Sequence, residues 1–275
     1  MGKSIPETAA VILVLSWSMP SRAEEVRKIQ DNSFLLEEAY NQEDGVVQHI
    51  QSFQLMKGGS WTYTFTQEWP VPTQKHQFSY TIPYLHLDDA EDPTGFGDVL
   101  LNYRYQAVLE GPIAFSPRIS LITPTGDHGE GLRNDAWGLQ GNLPLSVELA
   151  DRLVTHWNLG ATFVPDAKGI DGSQADITGF NYGVGFIYIV NDNFNLMLEL
   201  VGNTSETVGD GGRIETESFF FINPGMRFAI DFESGLQIVP GLSFPIGVGP
   251  SEGDFGVFCY LSFEHPLFKP KPSSR

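Results

Sequence analysis

The chain has 275 residues, with 34 Asp and Glu against 16 Lys and Arg, a formal net charge of -18 and a single cysteine, Cys259. So acidic a chain repels phosphate backbones, which excludes nucleic acid bound through a basic face, and one cysteine excludes a disulfide framework or a cysteine-rich zinc site. With 29 Gly, 18 Pro and 20 Phe the composition points to β-structure with many turns, and the longest aliphatic run, Ala9 to Leu15, falls well short of the roughly 20 apolar residues of a membrane-crossing helix.

Residues 1–23 read as a secretory signal. Lys3 supplies positive charge, Ala9 to Leu15 the apolar core and Ser21-Arg22-Ala23 a small-x-small cleavage site. Residues 24–46 follow as a periplasmic or plug segment. Within it, residues 31–43 are the one helix-like piece, with Ser33 as cap and Phe34, Leu35, Ala39 and Tyr40 available to one side. The pattern leaves two readings open: a plug carrying Phe34, Leu35 and Tyr40, or a short periplasmic helix that leads into the first strand.

Beyond residue 46 the chain alternates. In Trp61-Thr62-Tyr63-Thr64-Phe65-Thr66-Gln67-Glu68-Trp69 the aromatics share one parity, and a strand sends successive side chains to opposite faces. The pattern recurs in Phe78-Tyr80-Ile82-Tyr84, Leu101-Tyr103-Tyr105, Trp157-Leu159 and Phe180-Tyr182-Val184-Phe186-Tyr188. About twelve such segments, near 47–56, 60–69, 76–86, 97–107, 113–123, 136–148, 152–163, 178–190, 193–203, 214–228, 235–246 and 255–265, average about ten or eleven residues, the length of a tilted strand crossing a bilayer. Tight links at Glu110-Gly111, Ala150-Asp151, Asn191-Asp192 and Asp231 to Ser234 alternate with longer acidic ones at 88–93, 125–130, 166–176, 204–213 and 247–254, the short Lys57-Gly58-Gly59 being the exception. Trp61, Trp69, Tyr84 and Tyr105 near segment ends fit interfacial girdles. The expected fold is an all-β transmembrane antiparallel barrel over residues 47–265, with a disordered tail at 266–275.

Four stretches carry a family resemblance: residues 31–43 (DNSFLLEEAYNQE), Gly95-Phe96-Gly97-Asp98-Val99, Thr123-Pro124-Thr125-Gly126-Asp127, and Phe244-Pro245-Ile246-Gly247 through Phe263-Glu264-His265-Pro266. Spread along most of the mature chain, they resemble the Gram-negative outer-membrane barrels grouped as the phenol-degradation meta-pathway family. The resemblance implies an outer-membrane transporter of hydrophobic or aromatic small molecules and carries over no ligand residue. It departs at the end, where such barrels finish on an aromatic and Phe268 is followed here by Lys269 to Arg275.

Arg104, Arg118, Glu68 and Glu199 fall on the polar parity, so a barrel places them in its lumen, where they set selectivity or cross-pair and fill the interior. Gly249-Pro250-Ser251-Glu252-Gly253 matches the G-x-S-x-G pattern, but a strand rather than a helix follows it. Ser146 and His156, facing across a turn, are the candidate pair for a barrel enzyme acting on lipids. Asp88, Asp89, Glu91 and Asp92 offer carboxylates to Ca²⁺ without the EF-hand spacing, which leaves metal binding open. The expectation is an outer-membrane channel for passive passage of small solutes, with no enzyme activity and no cofactor. Its partners would be outer-membrane lipids, lipopolysaccharide and the barrel assembly machinery. A lipid-acting enzyme or a structural barrel without a pore are the alternatives.

Overall fold

The computed structural model describes residues 33–88, 92–127, 132 and 134–267. Residues 1–23, expected as a signal sequence, residues 24–32 of the segment that follows, Asp89 and Glu91 of the acidic loop, and the expected tail from Phe268 lie outside the described residues.

Alternating side chains make strands, and the strands close into one antiparallel barrel of twelve walls. In chain order these are β1 (Val46–Met56), β2 (Trp61–Pro70), β3 (His76–His86), β4 (Thr94–Phe96, Leu100–Tyr105 and Val108–Glu110), β5 (Ile113–Phe115 and Arg118–Ile122) and β6 (Gly138–Asn142 and Leu145–Ala150). Then come β7 (Leu153–Lys168), β8 (Gln174–Asn191), β9 (Phe194–Val208), β10 (Ile214–Phe228 and Ile230–Asp231), β11 (Gln237–Ser243 and Ile246–Gly247) and β12 (Gly256–Pro266). Each pairs with its sequence neighbour, and β1 pairs with β12 from Val46↔Pro266 to Met56↔Gly256, so no edge is left open. Pro266, expected in the tail, belongs to this last strand.

The two parities face different media. On β7, Trp157 and Leu159 are 48% and 59% exposed on the outer surface, while His156 between strand neighbours is 0% exposed. An apolar exterior around a fully paired backbone is the form in which strands can lie in lipid, and it places the chain in the bacterial outer membrane. Aromatic clusters mark both ends of the wall: Trp61 stacks on His86 and meets Tyr84 at one, and Trp69 meets Phe78 and Tyr80 at the other.

The structure departs from the sequence expectation in three places. The segments read as single strands at 97–107, 113–123, 136–148 and 235–246 are each interrupted, three of them at Pro117, Pro144 and Pro245. Proline has no N–H to give a ladder, and the strand resumes beyond it. Residues 166–176 and 204–213, read as long loops, are about half strand: β7, β8 and β9 run for 16, 18 and 15 residues. Pairs as far out as Lys168↔Gln174 and Val208↔Ile214 reduce the connections to short turns. Asp171 ties these turns together, accepting hydrogen bonds from Ser173 and from the backbone N–H of Gly211 across the loop, and the Ser173 hydroxyl leads in holding its carboxyl down to about 2. Finally, residues 33–43 contain no helix and lie inside the barrel. The backbone N–H groups of residues 34, 35, 37, 39, 41 and 42 are spent on side chains of the wall and are not available to a helical ladder.

Candidate functional site

Backbone donors away from water need acceptors, and for residues 33–43 the acceptors come from strands all round the barrel. Phe34 N and Leu35 N donate to the two carboxylate oxygens of Glu199 on β9, at 2.8 and 3.0 Å. Glu37 N donates to Asn158 Oδ1 on β7 and Ala39 N to Ser146 Oγ on β6. Asn41 N and Gln42 N reach Gln106 and Gln77. Wall donors return the favour: Asn158 Nδ2 gives to Glu37 O at 2.6 Å, Arg104 Nη1 to Glu38 O at 2.7 Å, and both Gln106 and Ser116 to Ala39 O at 2.8 Å. An extended strap thus crosses the lumen with six of its N–H groups and the carbonyls of Glu37, Glu38 and Ala39 bonded to residues far away in the chain.

Its side chains fix it further. Phe34 lies edge-on to Phe258 and Tyr260, at 5.8 and 6.2 Å between ring centres, with the Arg227 guanidinium 5.8 Å from its own. Wall glycines make the room. A Cβ at Gly225 or Gly241 would stand 2.5 or 2.8 Å from the Phe34 ring, and one at Gly183 would stand 2.7 Å from Leu36. Val154, Ile187, Ile189, Met197, Val239 and Phe258 form an apolar patch around Phe34 on the inner face, so the lumen is not polar throughout. Removing the ring therefore loses a buried aromatic anchor. Phe34→Ala should weaken docking of the segment by about 3 kcal/mol, roughly a hundredfold in the undocked population. Faster cleavage after Glu37 or Glu38 by a glutamate-specific protease would report it, and an unchanged rate would remove Phe34 as an anchor.

The charged residues meet at the strap. Arg104 and Arg118 are directly opposed across β4 and β5, an arrangement that like charges tolerate only with anions between them. Glu38 takes Arg104 at 3.1 Å, with Glu68 3.7 Å away on the other side. Glu37 takes Arg118 through two parallel bonds, Nε to Oε2 at 2.8 Å and Nη2 to Oε1 at 2.6 Å, and also accepts from Asn142 Nδ2 at 2.8 Å. All four charged residues expected in the lumen are there, and three of them, Arg104, Arg118 and Glu199, hold residues 34–38 directly. Glu68 reaches them only through Arg104 and Gln77. Leu35 is partly buried and Tyr40 is buried edge-on against His156. Sequence reading missed Glu37 and Glu38 as counterions. Two arginines on adjacent strands, with no carboxylate read on either strand's inward face, were the available signal.

The strap does not fill the barrel. A cavity of about 270 Å³ remains on the side of β1–β5, lined by Ser52, Thr64, Ser79, Thr81 and Asn102 and floored by Glu37, Glu38 and the two arginines.

Ser146, His156 and Ser251 have definite places, whereas two of the four acidic-loop carboxylates, Asp89 and Glu91, lie outside the described residues. Ser146 Oγ and His156 Nδ1 are 2.7 Å apart, but both residues are fully buried inside the barrel, with the serine also bonded to Ala39 N. Ser251 of the G-x-S-x-G stretch is buried in a short turn and accepts from Phe220 N. Asp92 lies 3.4 Å from His86, and no group of three metal-ligating side chains occurs among the described residues.

No family model matches the chain, and no curated protein does. Solved structures do. An outer membrane channel from Pseudomonas putida F1 superposes with a TM-score of 0.61 at 13% identity, covering 82% of this chain and 97% of that one. The NanC porin superposes with a TM-score of 0.51 at 8% identity, over 80% and 100% of the two chains. At such identities the likeness shows a shared barrel fold.

Proposed function

We propose that this chain is a passive channel for small solutes, held closed by residues 33–43 acting as a plug, with Phe34, Leu35 and Tyr40 seated in the wall. The observation that carries the reading is the hydroxyl-lined cavity beside the strap. A barrel built only as a scaffold would gain from filling that space, since interiors pack to crystal density. Instead the wall offers rows of polar side chains that a hydrated solute can use, and a strap held mainly by hydrogen bonds and ion pairs, interactions that water can replace. The two solved channels of similar fold support the same reading. The family resemblance adds hydrophobic or aromatic compounds as the solute class.

Arg104 and Arg118, with Glu68 and Glu199, would set which ions pass, because charges in a narrow lumen bias entry. The test is conductance of the refolded protein in a planar bilayer, with and without a small aromatic solute. Discrete steps blocked by the solute are expected. With Arg104 and Arg118 both changed to Gln, the ratio of anion to cation permeability should fall. Unchanged selectivity would remove the arginines from the mechanism, and a folded barrel that never conducts under any condition would sink the channel.

We read the chain as a channel rather than an enzyme on lipids. The Ser146–His156 pair faces the lumen beneath Ala39, where an ester in the surrounding bilayer does not reach. Hydrolysis of a phospholipid reporter that disappears in Ser146→Ala would reverse this choice.

A further inference from the structure

The lumen contains a complete carboxylate receptor whose present occupant belongs to the chain itself. Arg118 offers its guanidinium fork to Glu37, the geometry that matches a carboxylate with two parallel bonds. Asn142 adds a third donor to the same group. The fork is held in place from behind: Arg118 Nη1 donates to Asn102 Oδ1 at 2.9 Å and to Ser120 Oγ, and Nη2 to Gln140 Oε1 at 2.8 Å. Wall residues of three adjacent strands thus pre-organise a binding group that none of them needs for its own ladder.

We propose that this is a binding site for small organic carboxylates entering the lumen, and that Glu37 is a tethered stand-in which such a solute displaces. The inference rests on the channel reading above and names the chemistry of its solute. Three further observations bear on it. Arg104 stands directly across the ladder from Arg118, so the wall presents two cations at one level. Its Nε–H is buried and has no hydrogen-bond acceptor among the described residues, which leaves a donor unused at the cavity wall. The cavity of about 270 Å³ opens directly onto Glu37, Arg104 and Arg118, so an incoming solute meets the occupied site first.

Exchange conserves charge at the arginine: one carboxylate leaves as another arrives, and the released Glu37 turns into the aqueous cavity. No ion is stranded in a dry site, which would be costly. A tethered ligand competes at an effective concentration on the order of millimolar, so free carboxylate should act in that range. Once Glu37 is released, the strap loses its bidentate anchor on β5 and is held by its remaining attachments, among them those to Glu199, Asn158, Ser146 and Arg104.

Sodium benzoate and benzamide make a matched pair of probes, alike in ring and differing in charge. In a planar bilayer holding the full barrel, millimolar benzoate should raise the open probability and equal benzamide should not. In Arg118→Gln the benzoate concentration for half effect should rise at least about tenfold, the loss of a charge-assisted bidentate contact. Arg118→Lys keeps the charge without the fork and should fall between; it serves as the test if the Gln variant does not migrate as a folded, heat-modifiable species. Equal responses to the two probes, or a benzoate response untouched by both Arg118 variants, would overturn the carboxylate site. A barrel lacking residues 33–43 separates the two ideas. If it conducts while the full barrel ignores benzoate, the site fails and the channel stands. If it folds and does not conduct, the channel reading fails and the site with it.

Discussion

Deleting residues 33–43 should convert an occluded barrel into an open one, with single-channel conductance rising from near closure by on the order of tenfold or more, because a barrel of this size with its strap removed encloses a continuous aqueous lumen. The barrel itself should survive. Every strand ladder, including the β1–β12 seam, is made without the segment. The groups it leaves behind are polar ones such as Asn158, Ser146, Gln106 and Gln77, which water entering the lumen can satisfy. The apolar patch around Phe34 would be wetted, and that is the main cost. The deletion also removes Glu37 and Glu38 while leaving Arg104 and Arg118, so the opened lumen should favour anions more than the intact protein does. Heat-modifiable migration on a gel checks folding, and current steps with their reversal potentials check the rest. A folded deletion variant as silent as the parent would overturn the channel reading.

Glu199→Ala should open the barrel almost as effectively with a single atom group removed. This fully buried carboxylate accepts from Phe34 N, Leu35 N and Asn223 Nδ2 at 2.8, 3.0 and 2.8 Å. Without it two backbone donors of the strap are left without acceptors in a closed space, at about 1–3 kcal/mol each. A combined loss near 3 kcal/mol corresponds to roughly a hundredfold rise in the undocked fraction. Glu199→Gln keeps one acceptor oxygen and should give a smaller effect. Open probability in the bilayer reports both, and the ordering parent, Gln, Ala is the expected result. Equal open probability in all three would mean that the Phe34 end of the strap is held by its ring alone.

Much of the barrel is legible in the residues because its governing period is local. Trp61 to Trp69, or Phe180 to Tyr188, announces an outward face by alternation alone, and the parity that exposes Trp157 also turns Arg104, Arg118, Glu68 and Glu199 inward. Prolines 117, 144 and 245 mark the interruptions equally locally, through a missing N–H. The extra length of β7–β9 was harder to see: residues 166–176 and 204–213 are acidic and Gly-containing, which resembles loop composition, and pairing partners such as Val208 and Ile214 become visible only in register. A plug is one of the two readings left open for residues 31–43, but its extended form and its partners in the wall escaped for a deeper reason. Phe34, Leu35, Ala39 and Tyr40 are spaced to make one side of a helix, yet the acceptors for its backbone lie 35 to 165 positions away, and no local period records them. Nor does a glycine announce that its missing side chain is where Phe34 fits, as at Gly225 and Gly241.

That separation in sequence also orders events in time. The strap's attachments come from strands scattered from β3 to β9, with its ring seated against β10 to β12, so the surface that receives it does not exist until the wall has closed. Contacts so distant in the chain form late, because the entropy of bringing them together must be met before they stabilise anything. On that order the barrel is expected to close unobstructed first, with occlusion a second step taken by residues 33–43 once the last strand is in place.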